Sequence, residues 1–229
     1  MGGIIPEMAR KGKFITFEGG EGCGKSTQVE RLAERLLKQG HAVRTTCEPG
    51  GTDVGDQIRH IVKFSYKAKP LVAETELLLF CASRAQLVRE MIVPALRRGE
   101  IVVSDRFHDS TTVYQGFARQ LDQRVVAAIN EFAVNSCVPD LTIVIDIDPV
   151  IGLKRARTRA AEQAFLNRPS QNGELFDRME NADWEFFRRV QKGYLDLAKQ
   201  EPHRVKVVDG NQSMEAIEEQ VWNLVQRVL

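Results

Sequence analysis

The sequence feature that most constrains the fold is a glycine-rich run between a strand signal and a helix signal. Residues 19–26 read Gly-Gly-Glu-Gly-Cys-Gly-Lys-Ser and directly follow the apolar segment 14–17. Glycines let backbone N–H groups approach an anion closely, and the start of a helix adds a positive end. This spacing in this context is typical of a phosphate-binding loop, with a flexible glycine turn as the alternative. It predicts that ATP phosphates are bound by Gly19, Gly20, Glu21, Gly22, Cys23, Gly24, Lys25, Ser26 and Thr27.

Three side chains around this loop are candidates for phosphate and metal chemistry. We expect Lys25 to reach the β- and γ-phosphates and the Ser26 hydroxyl to bind the Mg²⁺ that accompanies them. Asp105 ends the apolar run 101–105, and carboxyl ends of parallel strands share one crevice. Asp105 is therefore the second candidate Mg²⁺ ligand. The neighbouring Arg106 offers a planar fork of donors to a phosphate, unless the two residues form an ordinary surface turn.

Composition excludes several classes of protein. The chain has 229 residues, 43% of them hydrophobic, and its 32 basic and 31 acidic residues nearly cancel. This balance argues against nucleic-acid or membrane partners, and no apolar run reaches the roughly 18 residues of a membrane span. We expect a single cytoplasmic domain over residues 13–229, preceded by a mobile leader over residues 1–12. The four cysteines and four histidines show no metal-ligand spacing, so we predict reduced thiols and no zinc site.

Hydrophobic periodicity predicts strands that alternate with helices, and hence a mainly parallel sheet in an α/β fold. The predicted strands are residues 14–17, 42–47, 101–105, 141–147 and 205–208. Helices are predicted from residue 25 to Gly40 and over residues 54–62, 74–98, 110–117, 122–134, 150–160, 181–199 and 217–228. Within the long helix, residues 77–82 are apolar all round, which predicts deep burial, and Pro94 predicts a kink. Residues 161–175 lack periodicity and are predicted to form a loop.

Two pairs of residues one helical turn apart are weaker signals. Phe80 and Arg84 place an aromatic ring beside a guanidinium, as a base-binding site would. The same pair also fits a core phenylalanine with a partly buried arginine. Thr111 and Gln115 lie around Tyr114 and alone would read as a solvated helix face.

Taken in order, these motifs resemble those of the bacterial thymidylate kinase family of P-loop nucleoside-monophosphate kinases, from about residue 13 to the C-terminus. The matching segments are Phe17-Glu18-Gly19 with the loop, Glu48-Pro49-Gly50-Gly51-Thr52, Ile58-Arg59, Arg84-Ala85-Gln86, Asp105-Arg106-Phe107, Tyr114-Gln115-Gly116 and Pro139-Asp140-Leu141-Thr142. The resemblance implies a five-stranded parallel sheet flanked by helices, a homodimer, and transfer of the ATP γ-phosphoryl group to dTMP.

The resemblance also implies roles for individual residues. Phe80 would stack on thymine, while Arg84, Thr111 and Gln115 would bind its polar edge. Arg59 and Arg106 would hold the acceptor phosphate. Glu18 would lie near the sugar 3′-hydroxyl and the reacting phosphates, and Tyr114 would fill the space of a ribose 2′-hydroxyl.

A lid over residues 155–180 is the last implied element. The loop contains no basic residue at positions 21–23, so the transition-state charge must come from another segment. The run Asp177-Arg178-Met179-Glu180 resembles the family pattern and makes Arg178 the catalytic candidate, with Arg159 packing on adenine. Residues 161–173 look like an insertion, which leaves the roles of Arg159 and Arg168 open. An arginine-bearing surface helix is the alternative.

Two rival functions remain open from sequence. A GTPase-like switch would need an Asn-Lys-x-Asp element, which is absent at the strand end 144–148. Another nucleoside-monophosphate kinase would keep the loop and change the acceptor pocket; an adenylate kinase would have glycine in place of Ser26.

Overall fold

The computed structural model describes residues 11–64, 71–166 and 184–229. Its five strands are β1 (Phe14–Glu18), β2 (Val43–Cys47), β3 (Ile101–Asp105), β4 (Leu141–Asp146) and β5 (Val205–Asp209). They form one sheet in the order β2-β3-β1-β4-β5, in which every neighbouring pair is parallel. The predicted five-stranded parallel sheet is therefore confirmed.

Helices cover both faces of this sheet. They are α1 (Lys25–Lys38), α2 (Asp53–Phe64), α3 (Ala73–Leu87), α4 (Val93–Arg97), α5 (His108–Thr111), α6 (Gln123–Val134), α7 (Pro149–Leu166), α8 (Trp184–Gln200) and α9 (Met214–Val225). Alternate residues of β1 face opposite layers: Ile15 packs with α1 and α9, and Phe14 packs with α3 and α4. None of the described helices is long and apolar enough to cross a membrane.

The strand order brings three loops to one edge. β2, β3 and β1 are neighbours, and in the register Asp105 lies beside both Phe17 and Cys47. The glycine-rich loop after β1, the Glu48–Gly51 turn after β2 and Asp105-Arg106 after β3 therefore meet at the carboxyl edge. This is where open parallel sheets bind ligands.

The helical part of the chain departs from prediction in three places. Residues 77–82 of α3 are not buried all round, since Leu78 is 57% exposed and Ala82 is exposed too. The opposite face of α3 packs on α2 and α6, and the face with Leu78 and Ala82 is exposed to solvent. The segment Val88–Ile92 between α3 and α4 is a π-helical turn. It ends two residues before Pro94, which has no N–H to donate to the helix ladder. A second π-helical segment, Thr112–Ala118, follows α5.

Two predicted boundaries are also wrong. The loop predicted for residues 161–175 begins later, because α7 continues to Leu166; the rest of that loop lies outside the described residues. The predicted mobile leader over residues 1–12 includes Gly12, which is buried and donates its N–H to the Leu96 carbonyl at 2.9 Å. Residues 1–10 lie outside the described part.

Candidate active site

The glycine-rich loop joins β1 to α1 and presents donors at the helix start. Among the described residues, no side chain caps the first turn of α1, so its amides point to the cleft without side-chain partners. Gly22 has φ +66°, and a Cβ there would lie 2.0 Å from the Gly152 carbonyl of α7. The Lys25 ammonium donates to the carbonyls of Gly20 at 2.8 Å and Gly19 at 3.2 Å. The loop thus combines free amides with one lysine, as a polyphosphate site requires.

The two predicted metal ligands meet beside this loop. The Ser26 hydroxyl of α1 donates to the Asp105 carboxylate at 2.6 Å, in an exposed position. A hydroxyl and a carboxylate suit Mg²⁺, which binds few protein oxygens and completes its shell with water and phosphate. The described residues contain no cluster of three or more His, Cys, Asp or Glu side chains that could hold a metal ion without ligands from water or phosphate. The donor set therefore fits Mg²⁺ arriving with a nucleotide.

A cleft of about 390 Å³ opens over the carboxyl edge of the sheet. It is large enough for a nucleotide-sized ligand. Most of the predicted site residues line it, namely Glu21, Gly22, Gly24, Lys25, Ser26, Arg59, Phe80, Arg84, Asp105, Arg106, Thr111, Tyr114, Gln115 and Arg159. Gly19, Gly20, Cys23 and Thr27, predicted to bind ATP, are not part of its lining.

Glu18 lies behind the residues that line the cleft. It is fully buried, and its carboxylate accepts hydrogen bonds from the Phe107 N–H at 2.8 Å, the Ser110 hydroxyl at 2.6 Å and the Tyr194 hydroxyl at 2.7 Å. Burial and the nearby Asp109 raise the pKa of Glu18 above its ordinary value. Glu18, predicted to lie near the sugar 3′-hydroxyl and the reacting phosphates, is not part of the cleft lining, and its carboxylate accepts from protein groups.

Arg106 is the central cation of the cleft. Its φ of +71° is uncommon for a residue other than glycine and turns the chain sharply after β3. Its guanidinium donates to five acceptors: the Gly19 carbonyl (3.1 Å), the hydroxyls of Ser110 (3.1 Å), Tyr194 (3.3 Å) and Tyr114 (3.1 Å), and the Glu21 carboxylate (2.7 Å).

Glu21 is the only one of these acceptors that carries a formal charge. Burial would raise the pKa of Glu21, but Arg106 and Lys25 outweigh burial and lower it. The carboxylate is therefore ionised and occupies the anion-binding edge of Arg106. Sequence reasoning treated Glu21 as a backbone donor, whereas the structure brings its side chain into the cleft.

At the other end of the cleft, Arg84 is fully engaged with protein. It is 1% exposed and forms an ion pair with Glu48 at 2.6 Å. Its remaining donors bond to the Thr111 hydroxyl (3.0 Å), the Asn130 side-chain carbonyl (2.7 Å) and the Phe107 carbonyl (3.3 Å). Within the described residues Arg84 has no unused donor, so the bond predicted from Arg84 to a base edge would need a rearrangement.

Two other predicted base contacts keep polar capacity. Thr111 accepts from Arg84, so its own hydroxyl proton is free for another acceptor. Gln115 donates one amide hydrogen to Glu76 at 2.6 Å and retains the second. Phe80 is partly buried and lines the cleft beside them.

Several functional candidates escaped sequence reasoning. Glu48 belongs to a recognised turn motif without an assigned role, and Ser110 directly precedes Thr111. A carboxylate beside a predicted arginine would have been the signal for Glu48. Tyr194 lies 88 residues from Arg106 along the chain, and no local pattern could have indicated it.

Only the first part of the predicted lid is described. α7 brings Arg159 to the cleft, whereas Arg155 donates to the Gly210 carbonyl at 3.5 Å and takes no part in the lining. Arg168 and Arg178 lie outside the described residues.

The buried pair leads to a stability prediction. Arg84→Ala would leave the Glu48 carboxylate buried without its cation, and burial already raises the pKa of Glu48 to about 7 against the pull of Arg84. We expect the free energy of unfolding to fall by about 3–5 kcal/mol, measured by urea denaturation. Arg98→Ala, which breaks an exposed pair with Glu100, is the control and should change stability little. Equal, small losses in both variants would show that the buried pair is not structural.

A family model for thymidylate kinase matches residues 17–221. The thymidylate kinase of Geobacter sulfurreducens is 47% identical over 205 residues, which cover 90% of this chain and 92% of that protein. The thymidylate kinase of Syntrophotalea carbinolica is 46% identical and covers 91% of this chain and 93% of its own length. The crystal structure of thymidylate kinase from Ehrlichia chaffeensis is 31% identical, covers 93% of this chain and 98% of its own, and superposes with a TM-score of 0.70.

Proposed function

The chain belongs to the thymidylate kinase family, and from this membership we propose how its cleft phosphorylates dTMP with ATP to give dTDP and ADP. One observation carries the proposal. The phosphate-loop lysine and Arg106 line the same cleft, and Glu21 of the loop touches Arg106 at 2.7 Å. A donor phosphate on the loop and an acceptor phosphate on Arg106 would therefore be neighbours, as in-line transfer requires.

On the donor side, the loop amides and Lys25 hold the β- and γ-phosphates. Lys25 exchanges its loop carbonyls for phosphate oxygens when ATP binds. Ser26 and Asp105 would hold Mg²⁺, which neutralises charge that develops on the phosphates. Arg159 on α7 packs on the adenine.

On the acceptor side, Arg106 and Arg59 bind the dTMP phosphate. A phosphate monoester has its second pKa near 6, so at pH 7 it is mostly a dianion and needs no general base. The protein supplies position and positive charge instead. Glu21 leaves the Arg106 edge as the phosphate arrives, and its carboxylate is then free to face the sugar; we assign it this role in preference to the buried Glu18.

The base and the sugar of dTMP bind at the end of the cleft that lies away from the glycine-rich loop. Phe80 stacks on thymine, and Thr111 and Gln115 offer hydrogen bonds to its polar edge. Arg84 acts by orienting Thr111, which it contacts at 3.0 Å. The Arg106 guanidinium carbon lies 4.9 Å from the centre of the Tyr114 ring, and Tyr114 fills the space of a 2′-hydroxyl.

The transition-state arginine is proposed to be Arg178. Arg178→Ala should lower kcat far more than it raises KM for either substrate, because the contact forms mainly on closure. Steady-state kinetics measure the changes in kcat and KM for this variant, with Arg168→Ala and Arg159→Ala as matched controls. If Arg168→Ala carries the kcat loss while Arg178→Ala behaves as wild type, the catalytic arginine is Arg168, within residues 161–173, and the assignment to Arg178 is wrong.

We also propose that the protein is a homodimer. Helices α3 and α6 pack together, and they carry the exposed apolar side chains Leu78 (57% exposed), Val125 (52%) and Phe132 (78%). Apolar side chains exposed on neighbouring helices are typical of a protein interface. Phe132→Glu should shift the sedimentation coefficient to that of a monomer, whereas Trp184→Glu, at an apolar residue elsewhere on the surface, should not. An unchanged dimer in Phe132→Glu would place the interface elsewhere.

The activity itself is tested with purified protein, ATP and dTMP, with dTDP identified by mass. We expect dTDP to accumulate with Mg²⁺ present and to be lost when EDTA removes the metal. ADP release without dTDP would overturn the proposal. The setting we propose is the cytoplasm, with free nucleotides and no nucleic acid or membrane as partners.

A further inference from the structure

One buried hydroxyl connects the acceptor-side arginine to the carboxylate behind the cleft. The Tyr194 hydroxyl lies 2.7 Å from a Glu18 carboxylate oxygen, 3.0 Å from the Ser110 hydroxyl and 3.3 Å from Nη1 of Arg106. The side chain is 1% exposed. A tyrosine hydroxyl has one proton and accepting lone pairs, so it can donate to Glu18 while it accepts from Arg106.

The two edges of the Arg106 guanidinium have different surroundings. Nη1 donates to the Gly19 carbonyl and to the hydroxyls of Ser110 and Tyr194, and both hydroxyls donate in turn to the buried Glu18 carboxylate. Nη2 donates to Glu21 and Tyr114, both of which line the cleft. The Nη1 edge is therefore tied to a buried carboxylate through two hydroxyls, whereas both acceptors of the Nη2 edge line the cleft.

We propose that Tyr194 is a positioning residue, which anchors the Nη1 edge of Arg106 so that the Nη2 edge is presented to the acceptor phosphate. This inference rests on the proposed function, in which the phosphate replaces Glu21 on Nη2. Without the hydroxyl, the guanidinium loses one of three anchors and turns more freely toward Glu21. Fewer molecules then hold it in the geometry that a phosphate needs.

The helix that carries Tyr194 also contacts the residues just before α7. This helix is α8, in which Gln191 donates to the Asp146 side chain at 2.9 Å and to the Ile147 carbonyl at 3.3 Å. Both acceptors immediately precede α7. The same helix thus fixes the position of Arg106 and the start of the segment that carries Arg159.

The test compares two ligands that differ only in the phosphate. Binding of dTMP and of thymidine to wild type and to Tyr194→Phe is measured by titration calorimetry without ATP, well below the melting temperature of each protein. We expect Tyr194→Phe to weaken dTMP binding roughly tenfold, as loss of a bond to a charged group does, and to leave thymidine binding unchanged. Adding Tyr194→Phe to Arg106→Gln should cause no further loss, because the hydroxyl acts through the arginine.

Thr142→Val is the control for loss of a buried hydroxyl. Thr142 on β4 contacts Asp109 at 2.9 Å and Thr16 at 2.9 Å, away from the cleft. It should lower the melting temperature and leave the ratio of dTMP to thymidine affinity unchanged.

Three results would overturn the inference: an unchanged ratio in Tyr194→Phe, equal losses for dTMP and thymidine, or full additivity with Arg106→Gln. A wild-type protein that binds thymidine as tightly as dTMP would overturn the proposed function together with this inference. Comparing dTMP with thymidine in the wild-type protein therefore shows whether the proposed function fails or only the role of Tyr194.

Discussion

Lys25→Met is expected to lower kcat by a thousandfold or more while leaving the fold intact. The ammonium is proposed to meet the charge that develops on the transferring phosphoryl group. Loss of one donor from such a preorganised site costs about 10²–10³ in rate, and a full charge costs more. Methionine keeps most of the lysine stem, and the bonds lost within the loop are those to the Gly19 and Gly20 carbonyls and to the Cys23 sulfur. Initial rates and a melting curve measure both effects.

The matched control is Lys38→Met at the exposed last turn of the same helix. It removes the same charge far from the loop and should keep the wild-type rate. Near-normal turnover by Lys25→Met would remove the glycine-rich loop from the mechanism.

Arg106→Gln is expected to lower kcat/KM for dTMP by about 10²–10⁴, because about two charge-assisted bonds to a dianion are lost, each about 1.5–3 kcal/mol. The affinity for ATP should change little, since the loop and Lys25 remain. A second consequence follows at Glu21, whose pKa is lowered mainly by this arginine. In Arg106→Gln that pKa should rise. As the pH is lowered, the residual activity should therefore begin to fall at a higher pH than in wild type.

Arg44→Gln is the control, since Arg44 is exposed on β2 and pairs with Glu100 away from the cleft. The pH–rate profiles of both variants are compared with wild type. Equal losses of ATP and dTMP affinity in Arg106→Gln would indicate that this arginine holds the loop together rather than the acceptor.

The parts of the site that could be predicted from sequence are those set by local pattern. The loop, its lysine and Asp105 each follow an apolar strand, and strand order then brings them to one edge. The fold was predictable for the same reason, since strand and helix periods alternate along most of the chain.

The parts that could not be predicted depend on long-range contacts. The partners of Arg84 and Glu18 come from four other elements, and which donors a buried group uses is decided by packing. The sequence therefore predicts Glu18 near the reacting groups but does not indicate that its carboxylate is buried and bonded to Phe107, Ser110 and Tyr194. The exposed face of α3 was missed because an all-apolar run does not say which side is covered by another helix.

The end of α7 was missed for a local reason. Pro169, Asn172 and Gly173 predicted a loop, and the prediction was extended back over residues 161–166. Those residues are mostly good helix formers, which explains why the helix continues to Leu166.

The central claim is that this cleft transfers phosphate from ATP to dTMP. It is tested most directly by one assay that offers the purified protein ATP and Mg²⁺ with equal concentrations of dTMP, dCMP, AMP, GMP and CMP, each alone and then together, and quantifies every diphosphate by mass. We predict that dTDP forms fastest in the separate reactions and dominates the mixture. Faster phosphorylation of any other monophosphate, or nucleotide hydrolysis without transfer, would contradict the account.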